Sequence, residues 1–269
     1  MKRFFLFLLV GAAAAIGIWY AMRSGGLRSS SASVTALLPK ETLAFVHVPD
    51  VNGTRSKWHE TEIYKMWREP AVQDFLQKPL SKAPQTNSVR QKLQQMDELQ
   101  MKDVFLAITS WENKQVKMLA GFRFKGSEAD AEKVIGQWRA KVQEKASDVK
   151  HETLTYENHR IEVMSHAPVT VATVYDGNWF FAANDVVALK ALLDRADGRA
   201  KDAASTLAAD ETFAAAFKHA PSSYAAYAYG RLDRYFAKLA ASLPPDAASK
   251  EQFSMLRKIK SLSAASSFD

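Results

Sequence analysis

The apolar residues of this chain follow two different patterns. Residues 4–22 contain no charged side chain, and Lys2, Arg3 and Arg23 bound them. A helix of this length spans roughly 28 Å, close to the roughly 30 Å hydrocarbon core of a bilayer. Beyond residue 37, apolar positions alternate with polar ones or recur at helical spacing, as they do in folded domains. The pattern predicts a transmembrane helix within residues 1–23 and a globular domain after it.

Two interpretations of the N-terminal segment stay open. One is an uncleaved signal-anchor, and the other is a cleavable signal peptide with its small-residue site among residues 12–15. The apolar stretch continues past that site to Trp19 and Tyr20, which is long for a signal peptide and favours the anchor.

The segment 24–36 is rich in serine and glycine and is typical of a flexible linker. Ten such residues reach roughly 17 Å, so the linker would hold the domain of residues 37–269 near the bilayer. The expected location is the bacterial inner membrane, with a single pass and the C-terminal domain in the periplasm. Secretion after signal cleavage is the alternative.

The domain's pattern predicts strands joined mostly by hairpins. A turn of Asp176-Gly177-Asn178 between apolar runs is the strongest of these hairpin signals. Strands are predicted over residues 43–48, 104–110, 115–124, 152–156, 160–164, 169–175, 179–182, 223–229 and 261–268.

Helices are predicted between these strands. They begin at Thr61, Pro70 and Ser127, after Asn184 or Asp185, and they also cover residues 89–101, 210–219, 232–243 and 247–259. The fold class is therefore α+β, with a mainly antiparallel sheet and helices packed on one face.

A weak internal echo suggests two halves of similar build. Residues 39–48 and 221–229 each run from a proline through a short linker to an aromatic strand that leads into a helix. Chance similarity explains the echo equally well.

Composition and charge exclude several classes of protein. Apolar residues make up 47% and charged residues 24%, the balance of a folded protein. The absence of cysteine excludes disulfides, thiolate metal sites and cysteine nucleophiles. The net charge is +7, but Lys2, Arg3, Arg23 and Arg28 all flank the apolar segment. A nucleic-acid partner is therefore not expected.

The search for chemistry identifies no catalytic, cofactor-binding or metal-binding residue. The phosphate-binding glycine motifs and the GxSxG elbow do not occur. A metal site of His47, Asp50 and His59 at the end of the first strand is one weak hypothesis.

Two further arrangements are equally weak. His151, His159 and His166 lie in strands or turns of one sheet region and could approach one another, although surface histidines are the simpler explanation. Ser165 and His166 are neighbours in sequence, but no third group is predicted to orient them.

The tryptophans supply large apolar surfaces. Such residues normally form the core, but a curved sheet covered by helices could also hold a lipid-like ligand. These residues are Trp58, Trp67, Trp111, Trp138 and Trp179.

The opening of the domain resembles a bacterial envelope family known only as domain of unknown function 3352. Its members show Leu-Pro-x-x-Thr before a strand, as in residues 38–42, and then a helix pair that matches Thr61, Trp67, Pro70 and Phe75. Residues 176–198 resemble the family's later turn, strand and helix. The resemblance covers about residues 37–269 and implies an exported or membrane-anchored protein. It implies no activity and no catalytic residue, and related chains are often longer.

Three functions follow as expectations. The first is a non-enzymatic binding or structural domain, anchored to the membrane by the N-terminal helix and contacting an unidentified protein. The second is a carrier of a lipid or another hydrophobic ligand. The third is a metal-dependent enzyme that uses His47, Asp50 or His59.

Overall fold

A computed structural model describes residues 32–72, 99–112, 115–145, 148–200, 202–242 and 258–268. The predicted N-terminal helix and nearly all of the predicted helices 89–101 and 247–259 lie outside these ranges. Among the residues described, no helix combines the length and the apolar character that crossing a bilayer requires.

Strands and helices are intermixed along the chain. The strands are β1 Ala44–Asp50, β2 Lys102–Glu112, β3 Gln115–Arg123, β4 Lys150–Tyr156, β5 His159–His166, β6 Val169–Asp176, β7 Trp179–Ala183, β8 Ala226–Gly230 and β9 Leu262–Ser266. The α-helices are α1 Ala32–Leu37, α2 Val51–Glu60, α3 Glu62–Trp67, α4 Glu128–Lys145, α5 Val186–Ala196, α6 Glu211–Phe217 and α7 Leu232–Ser242. Two short 3₁₀ turns, Ala203–Ser205 and Leu207–Ala209, precede α6.

The nine strands of the described residues belong to one sheet in the order β4-β5-β6-β7-β3-β2-β1-β8-β9, and every neighbouring pair is antiparallel. The predicted α+β class and the antiparallel sheet are therefore confirmed. The hairpins β2–β3, β4–β5 and β6–β7 form where the turn residues predict them. Gly177 adopts φ +57°, the left-handed conformation that a tight two-residue hairpin needs.

Helices cover both faces of the sheet, so the expectation of helices on one face is wrong. On one face, Phe45, Phe105 and Phe181 pack with the leucines of α5; this is the α5-side cluster. On the other, Val48, Phe124 and Phe180 pack with α4; this is the α4-side cluster. A helical stripe shows that a helix has a buried side, but not which face of a sheet it meets.

The chain turns directly from β1 into α2, a helix that the sequence pattern did not predict. The Asp50 carboxylate accepts a hydrogen bond of 2.8 Å from the Gly53 N–H and caps the helix. Asn52 and Gly53 are poor helix formers, so helix propensity does not predict α2.

The predicted cap of α3 is confirmed, and the helix exposes two large apolar side chains. The Thr61 hydroxyl accepts a hydrogen bond from the Tyr64 N–H at 3.1 Å. Ile63 and Met66, which lie on one side of the helix by their spacing, are 59% and 54% exposed.

Other helix boundaries follow the predicted signals. Ser127 accepts a hydrogen bond from the Asp130 N–H before α4, and Asp185 and Asp210 cap α5 and α6. Gly198 has φ +69° just after α5, as a helix stop requires.

The folded part begins earlier than the predicted linker allows. Residues 32–36 belong to α1, where Val34 and Thr35 are buried. Arg195 of α5 donates a hydrogen bond of 2.7 Å to the Leu37 carbonyl oxygen. Val34 and Thr35, which fall within the predicted linker 24–36, are therefore packed into the domain.

The two strands of the internal echo are neighbours. β1 and β8 pair antiparallel, with Phe45 opposite Tyr229, and each leads into a helix. The two similar halves themselves stay a prediction.

Gly121 is the position at which the core tolerates no side chain. A Cβ added there would lie 2.6 Å from Phe181 and 2.7 Å from Phe105. We expect Gly121→Ala to lower the unfolding free energy by about 1–3 kcal/mol through overpacking. Urea unfolding at constant m-value measures this change.

Gly230→Ala is the matched control. Its added Cβ would meet only the Leu43 carbonyl oxygen, at 3.9 Å. We expect this variant to be neutral or more stable by about 0.4–1 kcal/mol, because alanine restricts the unfolded chain. Equal losses in both variants would contradict the overpacking explanation.

Candidate functional site

The residues of the first metal hypothesis point in different directions. His47 faces the α5-side cluster and stacks on Phe45, with ring centroids 6.0 Å apart. Asp50 lies three positions later, on the opposite face of the strand, and caps α2. His59 stacks on Tyr64 in α3 at 4.4 Å between ring centroids. The hypothesis of a His47–Asp50–His59 metal site is therefore wrong.

His47 instead belongs to a buried polar network. Its Nδ1 lies 2.9 Å from the Tyr224 hydroxyl, and its Nε2 lies 3.3 Å from Asp103 Oδ1. The other oxygen of Asp103 accepts a hydrogen bond from Arg123. A carboxylate only accepts hydrogen bonds, so Nε2 carries the ring proton and Nδ1 accepts the Tyr224 proton.

The network keeps His47 uncharged. Burial, and then the positive charge of Arg123, lowers the pKa of His47 to about 3. The Asp103 carboxylate would oppose this shift, but Arg123 already neutralises it. His47 and Asp103 are both fully buried. A general base must reach its substrate, so this network serves to join strands.

Asp103 reaches His47 because the strand bends there. Its φ is +46°, and the β2–β3 register shifts between Lys102 and Phe105. A bulge of this kind re-aims a side chain. No local signal in the sequence marks Asp103, Arg123 or Tyr224 as partners of His47, because all three lie far from it along the chain.

The second histidine hypothesis is not supported for His159, which lies apart from His151. Tyr156 pairs with His159 at one end of the β4–β5 hairpin, whereas His151 pairs with Met164, five residues along the strand and so about 17 Å away. Each histidine contacts a different carboxylate: His151 contacts Glu162 at 2.7 Å, His159 contacts Asp197 at 2.8 Å, and His166 contacts Asp148 at 3.1 Å.

Ser165 and His166 do not form a nucleophile–base pair. The Ser165 hydroxyl lies 3.4 Å from Thr170 Oγ1, and the His166 ring contacts Asp148 through Nδ1. Neighbouring strand residues point to opposite faces, which separates the two side chains.

One cluster in the described part of the chain has the geometry of a metal site. His159, Asp176 and Asp197 each offer a ligand atom, and these atoms lie within 4.8 Å of one another. They come from the start of β5, the end of β6 and the C-cap of α5. We call them the His159 cluster.

Positive and negative groups surround the His159 cluster. Arg199 forms ion pairs with Asp197 and, at 2.9 Å, with Asp194. Burial, followed by repulsion from Asp197, raises the pKa of Asp176. Burial opposes the ionisation of Asp197, but the hydrogen bond from His159 and the charge of Arg199 outweigh it and lower the pKa of Asp197.

Trp179, Trp111 and Trp58 pack against other rings. Trp179 stacks on Phe181 at 5.1 Å, Trp111 lies beside Tyr235 at 5.6 Å, and Trp58 lies beside Tyr64 at 6.2 Å. Trp138 packs on the α4-side cluster. These contacts fit the interpretation of the aromatic residues as packing groups.

A depression beside α2 has a volume of about 410 Å³. Its lining consists of polar side chains, namely Asn52, Arg55, Ser56, His59 and Gln100. This lining does not suit a lipid chain, because ligand pockets of that kind are mainly apolar.

Among the described helices, α3 is the one that exposes two large apolar side chains on the same side. Ile63 and Met66 are three positions apart and therefore lie on the same side. Lys65 and Arg68 beside them are exposed. We call Ile63, Met66 and these two basic residues the α3 surface.

Comparison with known proteins gives no relative. No family model matches the chain, and no curated protein or solved structure resembles it significantly.

Removing the Tyr224 hydroxyl tests the buried network. We expect Tyr224→Phe to lower the unfolding free energy by about 1–3 kcal/mol, because it leaves the buried His47 Nδ1 without its donor. Chemical unfolding gives the value. Tyr235→Phe is the control, since Tyr235 is 43% exposed, and it should change stability by less than about 0.5 kcal/mol. A neutral Tyr224→Phe would contradict the hydrogen-bond assignment.

The low pKa of His47 predicts a loss of stability in acid. The ordinary pKa near 6.5 applies to the unfolded chain, and the folded value is about 3. The unfolded chain therefore binds a proton that the folded protein excludes as pH falls from about 6.5 to 3. Above about pH 6.5 the burial of neutral His47 should therefore carry no penalty. By pH 5 it should lower the free energy of unfolding by about 2 kcal/mol.

Two measurements check this pH dependence. Urea unfolding at pH 7.5 and pH 5, compared with His47→Gln, isolates the contribution of the ring, because glutamine does not titrate. Nitrogen NMR of the imidazole should show a neutral ring at pH 5. A His47 ring that is half protonated near pH 6 would contradict the prediction.

Proposed function

We propose that this chain is a membrane-anchored envelope protein whose α+β domain binds a protein partner without catalysing a reaction. The uncharged segment 4–22 and the resemblance of residues 37–269 to domain of unknown function 3352 support the anchor. The C-terminal domain then lies in the periplasm of a bacterium. The α3 surface supports the binding role.

The exposure of Ile63 and Met66 is the observation that carries the proposal. A folded domain gains about 25 cal/mol for each Å² of apolar surface it buries, yet these side chains are 59% and 54% exposed. Side chains on neighbouring turns of one helix present a continuous apolar area. Such areas on a protein surface mark contact sites more often than scattered single residues do.

Contacts with α2 hold α3 in place and leave the α3 surface exposed. Tyr64 packs between Trp58 and His59 of α2, and the Thr61 hydroxyl also donates a hydrogen bond of 2.8 Å to the Trp58 carbonyl oxygen. The inner side of α3 is therefore fixed on α2 while its outer side stays free to bind. A flexible methionine adapts its shape to a partner's apolar surface.

The charges around the apolar pair favour a protein partner. Lys65 pairs with Glu62 at 2.6 Å, and Glu69 lies beside Arg68 in sequence. Both signs are therefore present at the rim of the surface, as in protein interfaces with a polar rim. A bilayer surface would favour a rim that is mainly basic.

A carrier of a lipid or another hydrophobic ligand is the second candidate. This function requires a ligand to enter between a helix and the sheet, where the two apolar clusters lie. Native mass spectrometry of the full chain distinguishes the two, since a carrier retains a ligand of low mass.

Site-specific photo-crosslinking of the full chain in bacterial cells tests the partner proposal. With the crosslinker at position 63 or 66, we expect one discrete protein adduct. At Val187, which is 72% exposed on α5, we expect none. Adducts that form equally at all three positions, or adducts of lipid mass only, would refute a protein contact at α3.

Charge substitution provides the matching test of affinity. We expect Met66→Lys to reduce the adduct at position 63 at least about tenfold, because a charge in an apolar interface costs more than about 1.4 kcal/mol. The unfolding free energy should stay within about 0.5 kcal/mol, since Met66 is exposed. Val187→Lys is the control and should leave the adduct unchanged.

A further inference from the structure

We propose that the His159 cluster is a binding site for a divalent cation of the zinc type. This inference is independent of the binding role proposed for α3. His159, Asp176 and Asp197 bring one imidazole nitrogen and two carboxylates within 4.8 Å. Zinc takes nitrogen and oxygen ligands of this kind and often binds three protein groups and a water molecule.

The rigid elements of the fold hold the three ligands in place. His159 begins β5 and pairs with Tyr156 across the hairpin turn. Asp176 ends β6 and pairs with Trp179 across its own turn. Asp197 follows α5, whose leucines are fully buried in the α5-side cluster. Two neighbouring hairpin turns and a helix end therefore meet at one edge of the domain.

The end of α5 carries two carboxylates, which are unfavourable at a helix C-terminus, beside the favourable Arg195. The C-terminal end of a helix bears a partial negative charge and favours cations. Here Asp194 lies in the last turn and Asp197 at the C-cap. Two carboxylates at this end each cost about 0.3–1 kcal/mol unless a cation lies beside them. Residues that break a local rule of this kind concentrate at functional sites.

Arg199 compensates only part of this negative charge. Its guanidinium forms ion pairs with Asp194 and Asp197. The nearby Lys190 lies over the ring of Tyr156, with Nζ 4.8 Å from the ring centroid. Two carboxylates, Asp194 and Asp197, therefore share one guanidinium, and the third, Asp176, forms no ion pair with Arg199.

Asp176 is the ligand that distinguishes a metal site from a simple ion pair. The His159–Asp197 contact at 2.8 Å is complete without it. Asp176 is nevertheless held close to Asp197, where two like charges repel. A divalent cation bound by both carboxylates and by the His159 nitrogen turns this repulsion into attraction. The exposed Arg199 side chain moves toward Asp194 as the cation takes its place on Asp197.

Calorimetric titration of ZnCl₂ into the full chain, purified in detergent without a histidine tag, tests the site. We expect one zinc ion per chain in the wild type. Asp176→Asn and His159→Gln should each weaken zinc binding at least about tenfold, because each removes a direct ligand. His151→Gln is the matched control, because His151 forms its ion pair with Glu162, which is not part of the His159 cluster. Zinc binding should not change in this variant.

Two further measurements make the result decisive. X-ray absorption at the zinc edge should show nitrogen and oxygen donors only, with the imidazole signal lost in His159→Gln. Thermal unfolding without zinc shows whether each variant folds, and Asp176→Asn preserves the shape of the side chain. The proposal is overturned if the wild type binds no zinc, or if folded Asp176→Asn binds it as tightly as the wild type.

Discussion

Backbone pairing across the middle of the sheet is the constraint on which the rest of this structure depends. β1, β2 and β3 lie inside the sheet with a strand on either side, so most of their peptide groups pair with neighbouring strands and not with water. The antiparallel ladder satisfies that requirement and also fixes which side chains share a face. Phe45, Phe105 and Phe181 meet on the α5 side because the register aligns them.

The same constraint explains where polar groups enter the core. His47 occupies a core-facing position next to Phe45, and its two ring nitrogens need partners that the ladder cannot supply. The bulge at Asp103 and the segment that carries Tyr224 provide them. Fully satisfied networks of this type favour one arrangement of strands over others. The surface chemistry lies elsewhere, at α3 and at the end of α5, where the packing requirement is weaker.

Local signals made most of the strands and helix boundaries predictable. Asp176-Gly177 between apolar runs gave the β6–β7 hairpin, and Thr61 and Ser127 gave helix caps, because each signal acts within a few residues. The distribution of helices over two faces was not predictable, because an apolar stripe on a helix does not show which face of the sheet the helix packs against. Spacing places Ile63 and Met66 on one side of α3, but it does not show that this side is exposed.

The functional residues required the fold. His159, Asp176 and Asp197 come from three separate elements, and no spacing in the sequence relates them. His47 was noticed as a candidate ligand, but its true neighbours are separated from it by 56 and 177 residues. Histidine and carboxylate positions are informative only after the register brings them together.

The placement of β1 between β2 and β8 has a consequence for synthesis. β1 leaves the ribosome long before β8, from which it is separated by more than half of the chain. Until β8 arrives, one side of β1 exposes an unpaired edge that other chains could join. Distant pairings of this kind also slow folding, because a long loop must close before they form. The nascent chain therefore depends on protection of that edge during the interval, and a helper that binds extended segments would serve this need.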